Sequence, residues 1–224
     1  MLQFTIIILS ILVLSFGINM MLSYATGGFY RIFVAPGIIL HELSHAFFCL
    51  LTGAKVVSIN FFKSDGGEVK HGHSKIPIIG PILISLSPFV IGALAIYFLS
   101  KFIGFKTLNV SEVTFNAQSI FHWFIDSMKS LNFTSISTIV AFYLILSIAV
   151  TMTPSVVDMR NILVSILVIL FVVFIIFRYT HFRPSLGFLA TPELISILVT
   201  VLALLILAFI LSIFIFAIKN MFSA

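Results

Sequence analysis

The chain has 224 residues, 61% of them hydrophobic and only 8% charged. A soluble domain carries about 25% charged residues, so this composition, with a mean hydropathy of +1.26, excludes a water-soluble fold and points to a bilayer. The net charge of +5 does not imply nucleic acid, because the twelve Lys and Arg fall mostly between apolar stretches, where they suit anionic headgroups.

The expected fold is an all-α membrane protein, a single polytopic domain over 1–224, with about six transmembrane helices and a short β-hairpin after the second. Six apolar stretches are long enough to cross about 30 Å of hydrocarbon at about 1.5 Å per residue. The first, 2–24, lacks a charged leader region and reads as a retained helix rather than a cleaved signal. Gly27-Gly28 ends it, and the second stretch covers 29–51. Residues 55–71 then hold two β-rich runs around Asp65-Gly66-Gly67, which predicts a hairpin.

The third stretch is 76–102. Over 117–130, Ile120, Phe121, Phe124, Ile125 and Met128 share a helical face beside Trp123, which predicts a helix lying in the membrane interface. The fourth and fifth stretches are 133–152 and 156–177. The sixth, 193–219, opens on Thr191-Pro192-Glu193, a cap, a first-turn proline and an acid at the positive end of the dipole. An even number of crossings places both termini on one side. The basic residues then divide six against six, which leaves the orientation undecided. The lone cysteine, Cys49, excludes an intrachain disulfide and reads as a packing residue.

The chemistry lies in the second stretch, at His41-Glu42-Leu43-Ser44-His45. Positions i and i+4 share a helix face, so both imidazoles can hold one cation, and Glu42 can reach a water beside it. A single charge at the bilayer centre costs about 2.5–3.5 kcal/mol on insertion scales. Three ionisable groups in five residues therefore call for a compensating partner. Mutual pairing in a polar cluster is one; a Zn2+ ion is the other, with Glu42 as its catalytic base.

A catalytic zinc takes three protein ligands and one open position. Asp158, at the break between the fourth and fifth stretches, is the expected third ligand beside His41 and His45. The pattern Ser155-x-x-Asp158 is equally a capping box, which needs an acid there for helix initiation alone. His71 and His73 are the rival ligands, since alternate residues of a strand share a face. His122 and His181, among aromatic and basic residues, read as headgroup anchors.

A HELSH motif within a span, a glycine-containing hairpin after it and a Pro-Asp motif on a later helix together resemble the site-2 protease family of intramembrane zinc metalloproteases. The resemblance covers roughly 30–75 and 140–175. It implies zinc bound by His41, His45 and Asp158, with Glu42 as general base. The second motif departs from the family pattern: it reads Thr151-Met152-Thr153-Pro154, Met159 follows the Asp, and Asn161 comes after it.

The expected activity is hydrolysis of peptide bonds in membrane-associated polypeptides by a zinc metalloendopeptidase in a prokaryotic cell membrane, with lipids and a membrane-protein or peptide substrate as partners. The alternatives are a non-proteolytic membrane protein that binds or transports metal, and an inactive homologue that binds substrates without cutting them. Transport needs a continuous polar path, and the spans carry few ionisable groups outside the motif and Asp158. The hairpin strands have edges that could pair with an extended substrate or simply close the mouth of the site.

Overall fold

The computed structural model describes residues 2–63, 66–106, 117–179 and 191–223; Asp65 at the expected hairpin turn and His181 lie outside these. The fold is mostly helical: α1 (Leu2–Thr26), a 3-10 turn (Gly27–Phe29), α2 (Tyr30–Phe33), α3 (Ala35–Leu51), β1 (Val56–Lys63), β2 (Gly66–His71), α4 (Ile79–Phe102), α5 (Ala117–Lys129), α6 (Ile136–Thr151), α7 (Val156–Tyr179) and α8 (Pro192–Ser223). Among the described residues three segments are long and apolar enough to cross a membrane, Phe4–Thr26, Ile79–Phe102 and Pro192–Met221. Many outward side chains, such as Val13, Met20, Phe98 and Phe214, are large, apolar and exposed. Water does not tolerate so much apolar surface and lipid does; this is a helical membrane protein.

The second apolar stretch is not one helix from 29. Pro36 stands in the first turn of α3 and has no N–H to offer the carbonyl of Ile32, so the chain breaks at Val34 and α3 starts anew at Ala35. α3 ends with Gly53 at φ +72 and bonds from Ala54 N to Cys49 O and Gly53 N to Leu50 O, a Schellman stop that turns the chain sharply into the hairpin. β1 and β2 pair antiparallel, Ile59 opposite Val69 and Asn60 opposite Glu68, and fold back onto α3.

Helix directions correct one expectation. Gly17 packs on Phe209, Met21 on Ser212 and Tyr24 on Phe216, while Lys219 donates to the Tyr24 carbonyl. Residue numbers rise together, so α1 and α8 run parallel, and Leu2 and Ser223 lie at opposite ends of the pair, not on one side. α3 and α6 are also parallel, with Gly37 N bonded to Ser147 Oγ (2.9 Å) and His41 Nδ1 to Thr151 O (2.5 Å). α4 runs against both: His45 meets Ile84, whereas Gly37 and Leu40 share a crevice with Pro88 and Gly92.

The main core joins α1, α4, α6 and α8 around Ile11, Ile18, Ile96, Ile145, Leu204 and Leu205. α5 leans on this core through Trp123, Phe124 and Met128, with Ser127 fully buried and bonded to Trp123 O. Phe121 points outward.

Candidate metal centre

α3 delivers His41 and His45 to one face, one turn apart, with ring centroids 4.8 Å apart and Nε2 atoms 3.2 Å apart. Each ring is held from behind. His41 Nδ1 faces the Thr151 carbonyl at 2.5 Å and His45 Nδ1 faces the Ile84 carbonyl at 2.8 Å. A carbonyl only accepts, so each Nδ1 carries a proton, and the Nε2 of a neutral ring then presents a lone pair. With both rings neutral, two lone pairs at 3.2 Å repel, and either a proton or a metal ion between them relieves the contact.

The third group comes from α7. Asp158 is buried, with Oδ2 at 3.5 Å from His45 Nε2. The same oxygen accepts from Ser155 N (3.1 Å) and Ser155 Oγ (2.6 Å), while Asp158 N donates to Ser155 Oγ (3.1 Å). Asp158 therefore closes a capping box and faces the histidines at once. Among the described residues His41, His45 and Asp158 form the only group of potential metal-ligating side chains, with ligand atoms within 4.8 Å of one another.

Two of the three ligand separations suit a tetrahedral zinc, and the third lies within 4.8 Å. Two ligand atoms about 2.0–2.1 Å from a tetrahedral centre lie about 3.3–3.4 Å apart, and the separations here are 3.2 Å and 3.5 Å. Nδ1 bonds to backbone oxygens are the usual outer support of metal-ligating histidines.

Glu42 is buried and lines two cavities that meet at the motif. One, of about 320 Å³, also has His41, His45, Asp158, Glu68, His71 and Asn161 in its wall. The other, of about 440 Å³, is bounded by Phe16, Tyr30, Ile38 and Val150 on its apolar side. Gly67 of β2 touches Glu42 between them. His71 reaches the rim of the first cavity, exposed, with Nδ1 at 2.9 Å from Gly72 O, and His73 is exposed and outside the group. His122, on α5, is likewise exposed and apart from the centre.

The sequence marks Gly67 only as part of the hairpin turn and Asn161 only as a departure from the family's second motif, neither as a site residue. Asn161 stands one turn after Asp158, which places it on the same helix face and was the available signal. No family model, curated protein or solved structure matches the chain.

Proposed function

We propose that the chain is an intramembrane zinc metallopeptidase, similar to the site-2 protease family, that hydrolyses peptide bonds of membrane-associated polypeptides. The observation that carries this reading is the pair of Nε2 atoms 3.2 Å apart, faced by a buried carboxylate and adjoined by a buried glutamate, within apolar helices. A structural cluster would pair donors with acceptors. With neutral rings this one sets acceptor against acceptor, which suits a cation.

His41, His45 and Asp158 would hold the zinc through Nε2, Nε2 and a carboxylate oxygen. When bound, the metal supplies a Lewis acid that brings the pKa of a coordinated water down to about 7. Glu42 accepts a proton at its carboxylate and returns it to the nitrogen of the leaving amine. The apolar walls of Phe16, Ile38 and Val150 exclude bulk water from one side, and the polar rim of Glu68, His71 and Asn161 meets the chain on the other. A substrate must be extended there, because a helix hides its peptide bonds.

Helix directions support a multi-pass topology with an odd number of crossings rather than six. α6, at 16 residues, is about 24 Å long and too short to cross alone. The sequence of contacts 37 to 147, 41 to 151 and 45 to 158 advances steadily along α3. α6 and the first turns of α7 are thus read as one interrupted run in a single direction whose break, at Met152–Ser155, holds the metal site. The proposed location is the cell membrane of a prokaryote.

The test is cleavage of a candidate membrane peptide by purified protein in proteoliposomes, with and without chelator. Cleavage that chelator abolishes and added zinc restores is the expected result; no cleavage of any membrane peptide by zinc-loaded protein rejects the activity.

A further inference from the structure

α4 carries Pro88 in its interior. Proline has no N–H, so the carbonyl four residues before it, that of Ile84, lacks its intrahelical donor. A buried carbonyl seeks partners for two lone pairs. The Ile84 oxygen has both filled by side chains, Ser87 Oγ at 2.6 Å and His45 Nδ1 at 2.8 Å. An N–H at position 88 would be a third donor for two lone pairs and would displace one of them.

The other histidine repeats the pattern by a different route. Thr151 ends α6. Three residues on is Pro154, with no N–H, and four residues on is Ser155, whose N–H is taken by Asp158 Oδ2 at 3.1 Å. The Thr151 oxygen is left for His41 Nδ1. Two interruptions of helical hydrogen bonding thus lie behind the two imidazoles, one made by a proline inside a helix and one by a helix end sealed with a proline and a capping box.

We infer that Pro88 is a positioning residue of the metal centre: by deleting one backbone donor it reserves the Ile84 carbonyl for His45, which fixes the Nδ1–H form of the ring and aims Nε2 at His41 and Asp158. The inference rests on the zinc reading of this site. It adds that the ligand geometry is set from α4, a helix that contributes no ligand. Restoring a regular helix there should loosen the metal while strengthening the helix, an opposition that a merely structural proline would not produce.

The experiment measures zinc affinity by chelator competition on the full chain in lipid nanodiscs, together with thermal unfolding of the metal-free protein. Pro88→Ala is expected to bind zinc about 10–100-fold more weakly, with an unchanged or higher unfolding midpoint, because alanine is the better helix former. Pro81→Ala, in the first turn of α4 where a missing donor costs nothing, keeps wild-type affinity. Wild-type affinity in Pro88→Ala overturns the inference, as does a parallel loss of affinity and stability. A second measurement needs no variant: nitrogen-15 NMR of the metal-free wild type should place the His45 proton on Nδ1. Finding it on Nε2 overturns the inference even where Pro88→Ala fails to fold. A wild type that binds no zinc removes the proposed function, whereas a zinc-binding wild type with an indifferent Pro88→Ala removes only the role of Pro88.

Discussion

Gly67 of β2 lies so close to Glu42 of α3 that a Cβ at position 67 would overlap the glutamate's Cγ and carboxylate. The hairpin is therefore not a loose appendage of α3. Its second strand forms part of the wall beside the proposed base, and a side chain at position 67 would have to push the glutamate or the strand aside.

Gly67→Ala should accordingly displace either β2 or the Glu42 carboxylate. The ligands do not touch Gly67, so zinc content should stay at one per chain while cleavage falls at least about 10-fold, the scale of a misplaced catalytic group. Metal analysis and a cleavage assay on the same preparation would check both parts. Wild-type cleavage would show that the hairpin gives way and does not hold Glu42.

Much of this arrangement is legible in the residues themselves, and the limit is physical. The shared face of His41 and His45 follows from helical spacing, and the hairpin from β-rich runs around glycines, because both are local. The pairing of Gly67 with Glu42, of Gly37 with Ser147 and of α1 with α8 depends on which segments meet in space, and periodicity carries no such information. Asp158 was ambiguous for another reason. A capping acid and a metal ligand require the same residue at the same kind of helix start, so the pattern alone fits both. The break at Val34 was readable from Pro36, but the long apolar run around it masks the interruption.

Zinc should be present at one atom per chain in protein purified without chelator. Replacing His41 and His45 together with alanine should reduce this to background by elemental analysis, since Asp158 alone offers one ligand. Folding should survive in detergent, because the two rings lie at a cavity wall and outside the main core. Full zinc retained by the double variant would place the metal elsewhere.

Glu42→Gln separates an enzyme from a binder. Glutamine keeps the shape of the side chain but cannot take a proton. The variant should fold, keep its zinc and lose at least about 100-fold in chelator-sensitive cleavage, the usual share of a general base. Equal cleavage by variant and wild type would remove Glu42 from the mechanism and leave only metal binding.

Ser155 offers the sharpest test of how Asp158 is held. Its hydroxyl and N–H both donate to Asp158 Oδ2, the oxygen that faces His45. If these bonds only cap α7, Ser155→Ala should cost about 1 kcal/mol of stability, as other lost caps do, and leave the metal untouched. If they also orient a ligand, the same substitution should weaken zinc binding about 10–100-fold, as loss of an outer partner does at metal sites. The expected result is the second, with the unfolding midpoint lowered only slightly. Ser155→Thr keeps the hydroxyl and should restore most of the affinity, whereas a simple packing defect would not be repaired by a larger side chain. Chelator competition on the three proteins decides it: equal zinc affinity in wild type and Ser155→Ala would mean that the capping box serves the helix alone.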